Sequence, residues 1–123
     1  MNEDTLLSLR DALRDFAAQR DWAQFHTPKN LAMALIGEAA EVVEHFQWLT
    51  PEASAALPAD DHQAVAHELA DVLLYLVRLA DTLDIDLASA AREKLAINTQ
   101  RYPVDKAYGR ADKYNRLEDS SDD

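Results

Sequence analysis

The sequence predicts an all-α fold, an antiparallel four-helix-bundle-like domain, and three observations carry that reading. Apolar residues recur at three- and four-residue steps through four long stretches. Only two glycines and four prolines interrupt a 123-residue chain that is 48% hydrophobic, too few turn residues for a many-stranded fold. The connections between the stretches are short, as antiparallel neighbours require. A chain of this length holds one domain with a real core, assigned to residues 1–113, with 114–123 as an acidic, disordered tail.

The elements follow in order. Leu6, Leu9, Leu13, Phe16 and Ala17 share one stripe, so a first helix is expected from Glu3 to about Arg20. Asp21 to His26 is a connector containing Trp22 and Phe25, aromatics that pack or wall a pocket. Thr27-Pro28 is a helix start, a threonine cap before a proline whose missing N–H costs nothing there. The second helix is expected to run from Pro28 to about Leu49 on Leu31, Leu35, Ala39, Val42, Val43 and Phe46. Thr50-Pro51 repeats the start signal for a short helix, and Leu57-Pro58 leads a turn. A third long helix is expected from about Asp61 to Leu83, its apolar side made by Val65, Leu69, Val72, Leu73, Leu76, Leu79 and Ala80. Asp86 then caps a fourth, from Leu87 to about Gln100, which Pro103 stops; the remainder from Val104 reads as polar.

With 23 acidic and 12 basic residues, the net charge is −11, which disfavours nonspecific binding to nucleic acid or an anionic membrane. The absence of cysteine removes disulfides and thiolate metal sites. Met1-Asn2-Glu3-Asp4 is acidic, unlike a signal or transit peptide, and no apolar run approaches the roughly 18 residues of a membrane span. A cytoplasmic protein is the expectation.

Chemistry concentrates in Gly37-Glu38-Ala39-Ala40-Glu41-Val42-Val43-Glu44-His45 and in His67-Glu68-Leu69-Ala70-Asp71. Each holds two carboxylates three residues apart, on one helical face, within an apolar surround. At about 100° per residue, Glu41 lies roughly 60° from Glu38, His45 and Trp48 lie nearby, and Glu44 is farther round. On the next long helix Asp71 stands about 60° from Glu68, and Tyr75 between them. Acids at helical spacing usually mark a solvated face; duplication in charge-poor surroundings is what favours a shared cation. Four carboxylates in a half-buried space repel, and a hard divalent ion with oxygen ligands, Mg²⁺ or Mn²⁺, relieves that. The spacing departs from H-E-x-x-H, since Asp71 stands where the second histidine belongs, and no Glu-x-x-His of the di-iron type occurs. His26, His45, His62 and His67 therefore read as hydrogen-bonding or surface residues. Lys94, Asn98 and Arg101 fall within about 60° of one another on the fourth helix, a cationic stripe or simply an exposed polar face.

These residues resemble those of the MazG-like all-α nucleoside triphosphate pyrophosphohydrolases, within them the dCTP pyrophosphatase branch. The resemblance rests on G-E-x-x-E at Gly37 to Glu41, E-x-x-D at Glu68 to Asp71, Arg20-Asp21-Trp22 with Phe25-His26, Phe46-Gln47-Trp48, and Ile97-Asn98 with Arg101-Tyr102-Pro103. It extends from about Leu6 to Lys113. Broader MazG proteins carry glutamate where Gly37 stands, and glycine there is similar to the dCTP branch; some of that branch have histidine where this chain has Leu13. The resemblance implies hydrolysis of a (deoxy)nucleoside triphosphate, dCTP or a modified dCTP, to the monophosphate and pyrophosphate. It implies Mg²⁺ ligation by Glu38, Glu41, Glu68 and Asp71, and a nucleoside pocket of Trp22, His26, Trp48 and Tyr75. It also implies phosphate contacts from Lys94, Asn98, Arg101 and Tyr102, and assembly as a homodimer or homotetramer.

The chemistry expected of such a site is activation of a water by the metal, with a carboxylate taking its proton, Glu41 first and Glu44 second. Two other readings stay open on the residues alone: a dUTP- or broadly dNTP-selective enzyme with the same metal site, and a noncatalytic helical interaction module with solvated acidic faces.

Overall fold

Local rules account for most of the helix boundaries. The computed structural model describes residues 3–113 together with 115 and 116; of the expected tail, 114 and 117–123 lie outside the described residues. Helices α1 (Glu3–Gln19), α2 (Pro28–Glu44), α3 (Pro51–Ser54), α4 (Ala59–Thr82), α5 (Leu87–Arg101) and α6 (Val104–Ala107) are the regular elements, and the described residues contain no strand. The all-α expectation holds. The Thr27 hydroxyl accepts from the Asn30 N–H at 3.2 Å and that of Thr50 from Ala53 at 3.1 Å, each ahead of a proline in the first turn. Asn30 also donates from Nδ2 to the Phe25 carbonyl at 3.0 Å, tying the connector to the start of α2.

Two boundaries differ from the sequence expectation, and one short helix is added to it. Helix α2 ends at Glu44 rather than near Leu49, because the chain tightens into three-residue turns, with Phe46 donating to Val43 and Leu49 to Phe46 at 2.9 Å. Pro51 forces Thr50 into extended backbone, φ −70° and ψ 159°, so the α conformation has to be left before it. Helix α4 starts two residues early, at Ala59, where Asp60 and Asp61 in the first turn complement the helix dipole. One further turn, α6, follows Pro103 in a stretch read only as polar.

Helices α1 and α4 end alike. Asp21 and Asp84 adopt left-handed backbone, φ 54° and 55°. The next N–H in each case, Trp22 or Ile85, reaches back to Ala17 or Ala80 at 2.9 Å. This six-to-one closure uses aspartate where glycine is commoner, and it sets the direction in which Trp22 leaves the helix.

The chain forms two compact units, one ending at Asp86 and one beginning at Leu87. In the first, α4 is the centre and packs against both α2 and α1. His26, just before α2, meets Arg78 late in α4, whereas His45 at the far end of α2 meets Glu68. Helices α2 and α4 are therefore antiparallel. Arg14, late in α1, clasps Asp81, late in α4, with Nε–Oδ2 2.7 Å and Nη2–Oδ1 2.6 Å. The fully buried apolar set is small, Ala17, Leu31, Val65, Val77 and Ala80, with Leu31 only 2% exposed. The second unit holds α5 and α6, and with α5 the long helices among the described residues number four. No described helix is long and apolar enough to cross a membrane.

Because Leu31 is the largest side chain removed from water, Leu31→Ala should cost about 2–5 kcal/mol, read as a lower urea midpoint at an unchanged slope.

Candidate metal centre and adjoining pocket

Antiparallel packing of α2 on α4 brings the paired acids together. Glu38 and Glu41 on α2 and Glu68 on α4 each contribute a carboxylate oxygen lying within 4.8 Å of the others. Oε2 of Glu38 and Oε2 of Glu68 are buried and have no hydrogen-bond partner among the described residues. Such orphaned acceptors are costly, more so when charged. Glu38 is pushed above its usual range by burial first, then by Glu41, Asp71 and Glu68. Glu68 is pushed up chiefly by the adjoining Glu41 carboxyl, then by burial and by Asp71. His45, with Nε2 3.9 Å from Glu68 Oε1, pulls Glu68 the other way. Asp71 is outside the tight oxygen group yet close enough to act on both glutamates.

An all-oxygen donor set, two orphaned buried oxygens and mutual repulsion fit a hard divalent cation. Among the described residues the group contains carboxylates alone. Gly37 has ordinary helical backbone, and a Cβ there would meet nothing within 4 Å.

Asp71 also borders a cavity of about 420 Å³. Leu13 and Phe16 of α1, Trp22 and His26 of the connector, and Tyr75 and Arg78 of α4 are among its walls. Trp22 stands edge-on to both Phe16, 5.6 Å between ring centroids, and His26, 6.2 Å. The expected pocket residues Trp22, His26 and Tyr75 thus come together. Trp48 does not line the cavity: it lies in the turns beyond α2, 87% exposed, so the helical angle assigned to it does not apply. Glu44, the last residue of α2, is exposed and outside the oxygen group. Lys94, Asn98 and Arg101 lie on α5 and Tyr102 just after it, all in the second unit; Asn98 is half-buried and the others exposed.

One cavity residue escaped the sequence reading. Arg78 Nε donates to His26 Nδ1 at 3.0 Å, and its Nη1 is 3.6 Å from Asp81 Oδ2. Burial first, then the Arg78 charge, lowers the His26 pKa. Asp81 is held below the usual carboxylate range, mainly by its hydrogen bonds from Arg14. The available signal was a lone cation in the apolar run Val72 to Ala80, seven residues beyond Asp71 and so on its face.

The first unit is all-α, and its paired helices present an acidic oxygen cluster able to hold a metal ion beside an apolar cavity. The MazG-like family model matches residues 36–117. dCTP pyrophosphatase 1 of Mus musculus is 46% identical over 117 residues, spanning 94% of this chain and 69% of that protein. The Homo sapiens dCTP pyrophosphatase 1 is 44% identical over 118 residues, with 94% and 69% covered. The crystal structure of a pyrophosphatase from Archaeoglobus fulgidus superposes with a TM-score of 0.67 at 36% identity, covering 80% of this chain and 93% of that one. The chain belongs to the MazG-like family.

The raised glutamates define a pH signature. The folded, metal-free chain keeps protons that the unfolded chain releases, so this stabilisation is full below the ordinary glutamate pKa of about 4.3 and is lost as pH rises through the raised values. Glu41→Gln should therefore raise the metal-free Tm at neutral pH by a few degrees and abolish stabilisation by added Mg²⁺. The gain should shrink on acidification; scanning calorimetry across pH, with and without Mg²⁺, checks both.

Proposed function

We propose that this chain is a nucleoside triphosphate pyrophosphohydrolase that converts dCTP, or a base-modified dCTP, to the monophosphate and pyrophosphate with Mg²⁺. The observation that carries the proposal is the oxygen cluster of Glu38, Glu41 and Glu68, with two buried orphaned oxygens, joined through Asp71 to an aromatic-walled cavity. A volume near 420 Å³ is within the range of small-molecule sites. The relatives' names, dCTP pyrophosphatase 1, support the choice of base.

Glu38, Glu41, Glu68 and Asp71 hold the ion. When bound, Mg²⁺ supplies charge neutralisation for the triphosphate oxygens and a lowered pKa for a water among them. Glu41 is more exposed than Glu38 and Glu68, and it accepts the proton of the attacking water; Glu44 is the second candidate. Trp22 and Tyr75 give the base aromatic walls to stack on, stacking of this kind contributing about 1–3 kcal/mol in single-strand binders. Lys94, Asn98, Arg101 and Tyr102 are assigned to the phosphates and Trp48 to the nucleoside on the sequence pattern, and substitution of each, read as KM, tests that assignment. The reaction serves a cytoplasmic nucleotide pool.

The assembly proposed is a homodimer or homotetramer. On α2, Met33, Ile36 and Val43 form an exposed apolar stripe on the side opposite Glu38, 56% to 70% exposed. Ile36→Glu should reduce the mass measured by light scattering to that of the single chain if a second copy covers this stripe; an unchanged oligomer places the contact elsewhere.

Pyrophosphate release from a panel of canonical and modified dNTPs, with and without Mg²⁺, tests the activity. Turnover should require Mg²⁺, favour cytosine, and fall by about 10² or more in Glu41→Gln. Failure to turn over any member would overturn the proposal.

A further inference from the structure

We propose that Arg78 reads the base, its Nη donors meeting the adjacent O2 and N3 acceptors of cytosine. This deepens the proposed dCTP hydrolysis and rests on the cavity being the base pocket.

The cavity wall is mostly apolar; beside the Trp22 indole N–H, its polar side chains are His26, Asp71, Tyr75 and Arg78. Asp71 belongs to the metal end. Arg78 lies seven residues further along the same face of α4, about 10 Å up the axis, which leaves room for a sugar and base between the two charges. Its side chain is 12% exposed. Nε is committed to His26 Nδ1 at 3.0 Å, which fixes the orientation of the guanidinium plane. Nη1 is 3.6 Å from Asp81 Oδ2, beyond hydrogen-bond distance, and Asp81 already accepts two shorter bonds from Arg14. Nη2 has no hydrogen-bond partner among the described residues. A largely buried cation with an unused edge on a cavity is matched by a ligand that presents acceptors.

His26 reinforces the selection. Its Nδ1 accepts from Arg78, so in the neutral ring the proton sits on Nε2. Burial and the adjacent Arg78 charge both favour that neutral ring. Arg78 and His26 therefore both present donors. Cytosine places the O2 carbonyl and the unprotonated N3 side by side, the adjacent-acceptor pattern that a guanidinium meets with two parallel bonds. Thymine and uracil carry a proton on N3 and set a donor against a donor. Arg78 is thus a specificity-determining residue that acts at the opposite end of the cavity from the carboxylates.

The test compares kcat/KM for dCTP and dTTP, in the wild-type protein and in Arg78→Gln, with Mg²⁺ present. Arg78→Gln should lower kcat/KM for dCTP about tenfold more than for dTTP. An equal fall for both substrates, as expected if Arg78 only orients His26 or attracts phosphate, overturns the proposal, as does no change. A second arm needs no variant: wild-type protein is assayed with 3-deaza-dCTP, whose ring lacks the N3 acceptor. Its kcat/KM should be about tenfold below that of dCTP, and equal turnover overturns the proposal even where Arg78→Gln fails to fold. Absence of turnover for every dNTP would instead remove the enzymatic reading itself, an outcome distinct from loss of base discrimination alone.

Discussion

Glu38 and Glu41 meet Glu68 across the α2–α4 contact, and the first unit has to be built around their repulsion. Carboxylates at this separation, two with buried oxygens lacking donors, oppose the packing that brings them together. Folding must draw its compensation from elsewhere, because the fully buried core among the described residues is five small or aliphatic side chains. The threonine-proline caps of α2 and α3, the left-handed closures of α1 and α4, and the two-point Arg14–Asp81 pair provide it locally. In the proposed function a bound cation would change the sign of the central interaction and so couple metal binding to the stability of the helix pair.

Helix α4 organises chemistry as well as packing. Glu68, Asp71, Tyr75 and Arg78 follow at three- and four-residue steps, so one face passes from anion to aromatic to cation. Asp81, one turn further, takes Arg14 and steadies the cationic end. A nucleotide has the complementary order, a triphosphate that requires metal at one end and a base with hydrogen-bonding edges at the other. That polarity links the separate features of the first unit into one binding surface in the proposed function.

Much of this was legible in the residues. The pattern in Leu6 to Ala17 and in Val65 to Ala80 identified α1 and α4, and Thr27-Pro28 located the start of α2, because caps and periodicity are local physics. The duplicated acid pairs marked the cluster for the same reason, since residues three apart share a helical face wherever the helix goes. Trp48 was less legible: the angle assigned to it assumed that α2 continues, and the restriction imposed by Pro51 ends the helix first. Arg78 was passed over because a single cation in an apolar run reads as a snorkelling side chain until its partner is known.

Periodicity, capping signals and paired carboxylates thus determined the helical class, most boundaries and which acids share a helical face, all short-range properties of a chain. Tertiary structure alone decided which of those acids meet, which oxygens lose their donors, and that His26 and Arg78, 52 residues apart, share a hydrogen bond beside the cavity. Those outcomes depend on the register of α2 against α4 and on the path of the connector, and they arise only from packing between segments distant in sequence.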